Sequence, residues 1–191
     1  PDIFLQRAAA LTLCKFMCIS AEYCEANLGL LLHLLRTSKD AVVRANAVIG
    51  LGDVAVCFGT LVDENSERLY AGLGDKDLGV KKNTLMVLTH LILNGMIKVK
   101  GQLGELAKCL EDEEMRVSDL AKLFFSELAA KENAVYNNLP DIISHLSTGE
   151  HAVDETTFMN TMRFIFTFID KERQAENVIE KLCQRFRLTT Q

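Results

Sequence analysis

Few side chains in this sequence are able to carry chemistry, and their spacing limits what they can do. The four histidines, His33, His90, His145 and His151, are the candidate proton carriers and metal ligands. None belongs to an H-E-x-x-H arrangement, which would set two imidazoles and a carboxylate on one helical face. The single adjacency of His and Glu is reversed, as Glu150-His151. Cys14, Cys18, Cys24, Cys57, Cys109 and Cys183 form no C-x-x-C pair. Four or five of them fall within apolar helical stripes, so buried thiols of a reducing compartment are expected, with no metal site and no cofactor. Gly-Leu-Gly-Asp occurs at Gly50 to Asp53 and again at Gly72 to Asp75, but neither copy follows a strand or continues as a phosphate loop. The first pair of glycines is expected to permit close helix packing and the second to end a helix. Serines and carboxylates lack a matched base and orienting group, so no catalytic residue is assigned and the chain is not expected to be an enzyme.

What remains is chemistry of binding. Lys76, Lys81 and Lys82 gather near one turn, and Lys98 and Lys100 flank the next. Such a strip suits phosphates or an acidic partner segment, although solvated lysines on turns have the same appearance. Asn46 and Asn83 occupy one position of a repeating pattern, two residues after a basic side chain. They are placed to hydrogen-bond an extended peptide backbone, or equally to cap a neighbouring repeat. The candidate partner-binding residues are therefore Asn46, Lys81, Lys82, Asn83, Lys98 and Lys100.

The elements that must position them follow from a recurrence. An acid, two spacers, an apolar residue and usually a basic or amide residue start at Asp2, Asp40, Asp77, Asp112 and Glu150, separated by 38, 37, 35 and 38 residues. That period accommodates two helices and two turns, so a stack of helical hairpins is expected, all-α and of the α-solenoid class. With the acid as N-cap, one helix of each pair (B) is predicted at 3–19, 41–58, 78–94, 114–131 and 153–169. Val43, Ala47, Leu51, Val54 and Phe58, and again Phe158, Met162, Ile165 and Ile169, supply buried stripes at helical spacing. The alternate helices (A) are predicted at 22–36, 61–73, 97–110, 136–147 and 174–187, with Leu28, Leu31, Leu32 and Leu35 buried in the first. Pro140 fits a first turn, which moves the start of the fourth A helix towards 139. Gly74 and Gly149 are expected to close A helices as left-handed caps. The acid and the base four residues on are expected to form ladders between repeats, interrupted where Gln6 and Asp154 replace the base.

Composition agrees with a scaffold. Of 191 residues, 49% are hydrophobic, enough for a continuous seam between hairpins, and one elongated segment over 1–191 is expected rather than two globular domains. The chain opens at Pro1 without a methionine or an upstream A helix, so a piece of a longer repeat protein is expected. A net charge of −5 disfavours autonomous nucleic-acid binding. The longest uncharged run, Asn83 to Ile97, is too short and polar to span a bilayer.

The helical pairs are expected to be of the HEAT type, a right-handed superhelix of antiparallel helices. Some alkylpurine DNA glycosylases have HEAT-like repeats with aromatic residues and a catalytic aspartate in a basic groove; the absence of tryptophan and the acidic charge count against that chemistry. The wording of the sequence, in contrast, resembles the D-type, non-SMC HEAT-repeat subunits of condensin along essentially the whole chain. The resemblance is carried by Leu5–Ser20 (LQRAAALTLCKFMCIS), Leu88–Leu106 (LTHLILNGMIKVKGQLGEL), Ala121–Leu128 (AKLFFSEL), Asn133–Leu146 (NAVYNNLPDIISHL) and Ile179–Arg187 (IEKLCQRFR). Lys98 to Gln102 and Leu182 to Phe186 look more like condensin I than condensin II. The resemblance implies a non-catalytic subunit that binds the kleisin chain and helps couple SMC ATPase subunits to mitotic chromosome condensation. It also implies a place in the nucleus and on mitotic chromosomes with a cytoplasmic pool, weak or indirect DNA contact within the complex, and no membrane association. The alternative is a HEAT or armadillo transport or adaptor scaffold without a chromosome role.

Overall fold

The structure, a computed structural model, describes residues 2–99, 101–131 and 133–189. Helices joined by short turns account for its regular structure, and the described residues contain no strand. In chain order they are α1 (Ile3–Met17), α2 (Ala21–Thr37), α3 (Ala41–Cys57), α4 (Gly59–Asp63), α5 (Ser66–Tyr70), α6 (Leu78–Leu93), α7 (Leu103–Lys108), α8 (Met115–Ala129), α9 (Ala134–Ser147), α10 (Glu155–Phe166) and α11 (Glu172–Thr189).

The expected B helices are α1, α3, α6, α8 and α10. Each begins where an acid meets an apolar stripe. The Asp2, Asp40 and Asp77 carboxylates accept the N–H groups of Phe4, Val42 and Val80 respectively, satisfying donors that have no partner inside the helix. The expected frame slips in the last two copies. Glu114, rather than Asp112, is the N-cap of α8, and Asp112 instead accepts the Glu114 N–H at 3.0 Å. Asp154, expected in the basic position, is the N-cap of α10 and accepts the Thr157 N–H at 3.0 Å, while Glu150 lies in a 3₁₀ turn. Where several acids crowd a turn, the cap is chosen by which backbone can enter the helix with its apolar face inward, not by the first acid in sequence.

The A helices depart further from expectation. The first, α2, buries Leu28, Leu31, Leu32 and Leu35 as its stripe requires. The second, expected as one helix over 61–73, is two five-residue helices followed by a 3₁₀ turn at Ala71–Gly74. The third starts at Leu103 instead of 97 and ends in a 3₁₀ turn at Cys109–Glu111, because Gly95 and Gly101 take positive φ and turn the chain before it. Pro140 is not in a first turn. Helix α9 already begins at Ala134, so Pro140 lies in its interior and offers no N–H to the carbonyl one turn back. Burial of Val135, Leu139, Ile142, Ile143 and Leu146 holds the helix together despite that missing bond. Gly149 has the left-handed backbone expected of it, with φ 75°, but Gly74 does not and belongs to the 3₁₀ turn.

The chain divides into two compact units, Pro1–Val99 and Lys100–Gln191. In the first unit α3 packs against α1, α2 and α6. Val43, Ala47, Leu51 and Val54 are buried as the stripe predicts, but Phe58 is half-buried at the helix end. Gly50 permits close packing of α3 on α1, since a Cβ there would overlap Cys14, and Gly72 likewise faces Thr84. The second unit has its own core in Phe124, Phe125, Leu106, Leu139 and Ile142, with α7 against α9 and α8 against α9. Met162 and Ile165 are buried there, whereas Phe158 and Ile169 are half-buried. Three cysteines are buried, Cys14, Cys24 and Cys109; Cys18 is half-buried and Cys57 and Cys183 are exposed, so burial of thiols is less complete than expected. All six are free thiols.

Candidate functional site

Ion pairs between successive hairpins set the register of the first unit, with partners other than those expected. Gln6 does not interrupt the ladder: Arg7, one residue further along α1, donates from Nε to Asp40 Oδ2 at 2.8 Å. That bond holds the Asp40 carboxyl below its usual pKa. Arg44 of α3 reaches Asp75, not another cap residue. Its Nε and Nη2 donate to the two carboxylate oxygens at 2.7 and 2.8 Å, and its Nη1 donates to the Ser38 carbonyl at 2.8 Å. Asp75 also accepts the Asp77 N–H at 2.8 Å. With 15% of the Arg44 side chain and 11% of the Asp75 side chain exposed, this fork is a well shielded ion pair. The Arg44 bond lowers the Asp75 pKa, and the same contact raises that of Arg44. In the second unit the position equivalent to Arg44, four residues after the cap, is Ser118, a buried side chain that donates to the Leu110 carbonyl at 2.7 Å.

Five of the six candidate residues lie on two elements and one loop. Asn46 sits half-buried on α3, and Lys81, Lys82 and Asn83 sit half-buried near the start of α6. Asn46 and Asn83 hold the same register with respect to Asp40 and Asp77, and the corrected frame adds Asn160, in the same register with respect to Asp154. Asn160 donates to Glu111 Oε2 at 2.9 Å, so at this copy the amide ties one hairpin to the turn of the preceding one. Lys98 is exposed on the loop before α7, fixed by its own N–H donating to Asp63 Oδ1 at 2.8 Å. Lys100 lies outside the described residues.

A cleft of about 550 Å³ in the first unit went unnoticed in the sequence. Gly29 and Leu32 of α2 form one side, and Arg68, Gly72 and Lys76 the other, with Arg36 at the rim. It lies where the second A helix is broken into α5 and the 3₁₀ turn that follows it. Arg36, Arg68 and Lys76 are exposed and have no ion-pair partner among the described residues, so the cleft presents unneutralised positive charge.

A second constellation is also new. Glu105 of α7, His145 of α9 and His151 of the following 3₁₀ turn meet in the second unit. His145 Nε2 lies 2.7 Å and His151 Nδ1 2.9 Å from Glu105 Oε1, and Lys108 Nζ reaches the same oxygen at 3.1 Å. The two imidazoles stack with ring centres 4.6 Å apart. Burial opposes ionisation of Glu105, but the bonds from His145 and Lys108 outweigh it and keep its pKa below the usual value. Local spacing relates only His145 and His151 and does not reveal the third member, because Glu105 and His145 are 40 residues apart.

Residues 42–191 match the family described as non-SMC mitotic condensation complex subunit 1. The chain is 50% identical to condensin complex subunit 1 of Saccharomyces cerevisiae over 97% of its length, and 48% identical to that of Homo sapiens over 98%. Those alignments cover 16% and 13% of the relatives, so the chain spans about a sixth of their length or less. Against condensin-2 complex subunit D3 of Mus musculus identity falls to 26% over 74% of the chain and 10% of the relative. Among solved structures, a designed armadillo repeat protein is similar with a TM-score of 0.51 at 18% identity, covering 94% of this chain and 83% of that one, which supports the all-α repeat fold alone. No helix among the described residues is long and apolar enough to cross a membrane.

Proposed function

The chain belongs to the family of non-SMC mitotic condensation complex subunit 1, and on that premise we propose that residues 1–191 act as one HEAT-repeat segment of a non-catalytic condensin scaffold. The scaffold binds the kleisin subunit and helps couple the ATPase activity of the SMC subunits to chromosome condensation in mitosis. Its place is the nucleus and mitotic chromosomes, with a cytoplasmic pool. The observation that carries the reading is identity of about one half to condensin complex subunit 1 along nearly the whole chain, in fungus and animal alike.

The surface chemistry is compatible with holding an extended chain. Asn46 and Asn83 repeat along α3 and α6 at one register, offering amides that pair with a peptide backbone, and Lys81 and Lys82 stand beside the second of them. Arg36, Arg68 and Lys76 give acidic side chains of such a segment a cationic seat in the cleft. Helices of this kind bring binding groups to a surface rather than enclosing a reaction, in keeping with the absence of a nucleophile and base pair from the sequence.

Co-purification of the full-length subunit with the kleisin tests the reading. Charge reversal at Lys81 and Lys82 (Lys81→Glu with Lys82→Glu), or at Lys98 and Lys100 (Lys98→Glu with Lys100→Glu), is expected to weaken recovery of the kleisin. Unchanged affinity for both pairs removes these lysines from the interface.

A further inference from the structure

We propose that Glu105, His145 and His151 form a binding site for a divalent transition metal, with Zn²⁺ the best match. The three groups offer one carboxylate oxygen and two imidazole nitrogens, and these ligand atoms all lie within 4.8 Å of one another. Zinc bonds of about 2.0–2.2 Å place tetrahedral ligands roughly 3.4 Å apart, so the donors need move only by fractions of an ångström to about one ångström. Imidazole with carboxylate is a donor set that zinc accepts readily, and the five residues between His145 and His151 match a spacing common in zinc sites.

Two features of the backbone hold the donors ready. Gly104, beside Glu105, leaves room for the His145 ring to lie against α7, since a Cβ there would overlap the imidazole. Gly149, with φ 75°, turns the chain after α9, and the Val153 N–H donates to the Leu146 carbonyl at 3.0 Å, closing the loop that brings His151 back to His145. Each glycine thus serves an approach that a larger residue would block or strain. Loading requires two changes. The stacked rings tilt so that each nitrogen lone pair faces the ion, and the Lys108 ammonium, one quarter exposed and on a flexible stem, withdraws from the carboxylate. His151 is 59% exposed and free to make the first movement. The fourth position faces solvent and takes a water. Bound zinc joins the six-residue helix α7 to the longer α9 and the turn after it.

Titration of the 191-residue chain with zinc chloride by calorimetry tests the site, in a Cys57→Ser, Cys183→Ser background that removes the exposed thiols. One Zn²⁺ per chain with micromolar or tighter affinity is expected, and Co²⁺ in its place should give the intense visible bands of a tetrahedral site. Glu105→Gln and His151→Ala, both with unchanged circular dichroism, should each weaken binding at least tenfold, whereas Lys108→Ala should leave it equal or tighter. Absence of binding at 100 μM zinc overturns the proposal, as does affinity that neither Glu105→Gln nor His151→Ala alters.

Discussion

Separating Arg44 from Asp75 is expected to destabilise the first unit by about 2 kcal/mol. Charge centres about 4 Å apart attract by roughly 4 kcal/mol at an effective dielectric constant of about 20. Removing both groups from water offsets part of that attraction, and hydrogen bonds to charged groups contribute about 1.5–3 kcal/mol net. The fork is well shielded, with Arg44 at 15% and Asp75 at 11% exposure, and every carboxylate oxygen has a donor. A coupling energy of about 2 kcal/mol follows for a double-mutant cycle of Arg44→Met and Asp75→Asn, read by urea unfolding with circular dichroism at pH 7. The sign with pH is fixed by the lowered Asp75 pKa. A carboxylate stabilised in the folded state contributes fully above its unfolded pKa of about 3.9, and that contribution is lost as pH falls through the folded value. The coupling should therefore persist from pH 7 to about 5 and shrink towards pH 2.5. Additivity of the two substitutions within about 0.5 kcal/mol, or a coupling that does not decline in acid, would refute the argument.

Three further outcomes are expected. Gly50→Ala drives a methyl into Cys14 and should cost about 1–3 kcal/mol in thermal or urea unfolding, partly relieved by Cys14→Ala; a neutral result would mean that α1 and α3 separate freely. Pro140→Ala restores an N–H inside α9 and should stabilise the second unit by about 1 kcal/mol or more, measured by the midpoint of its unfolding transition, whereas a loss of stability would show that the proline ring itself is needed there. Asp154→Ala should lower the melting temperature and Glu150→Ala should not; the opposite pattern would restore the frame first read from the sequence.

The B helices were legible because two signals coincide in them. At Asp2, Asp40 and Asp77 a capping acid stands immediately before an apolar stripe of helical period, and each signal confirms the other. At Asp112-Glu113-Glu114 and between Glu150 and Asp154 the acids multiply, so acid spacing alone no longer identifies the cap. The A helices after α2 were harder to read because their apolar residues, such as Val62, Leu69 and Leu73, keep helical spacing while the backbone between them breaks. Burial can be maintained across a kinked or 3₁₀ segment as well as across one straight helix. The ladder was anticipated in kind but not in partners, since the reach of Arg7 and Arg44 depends on how far successive hairpins are displaced. Of the Glu105, His145 and His151 group the sequence offers only the spacing of the two histidines: Glu105 meets them only after α7 and α9 have packed, and the glycine that admits His145 is silent until that packing is known. The family words of the sequence pointed to condensin independently of all these local readings, and the matches to condensin complex subunit 1 bear that out.

A cross-linking map of the intact condensin complex tests the central claim most directly, with the lysines of this segment as reporters. Cross-links from Lys76, Lys81, Lys82 or Lys98 to the kleisin subunit are the predicted result. A map in which these lysines link efficiently to other subunits and never to the kleisin would contradict the account.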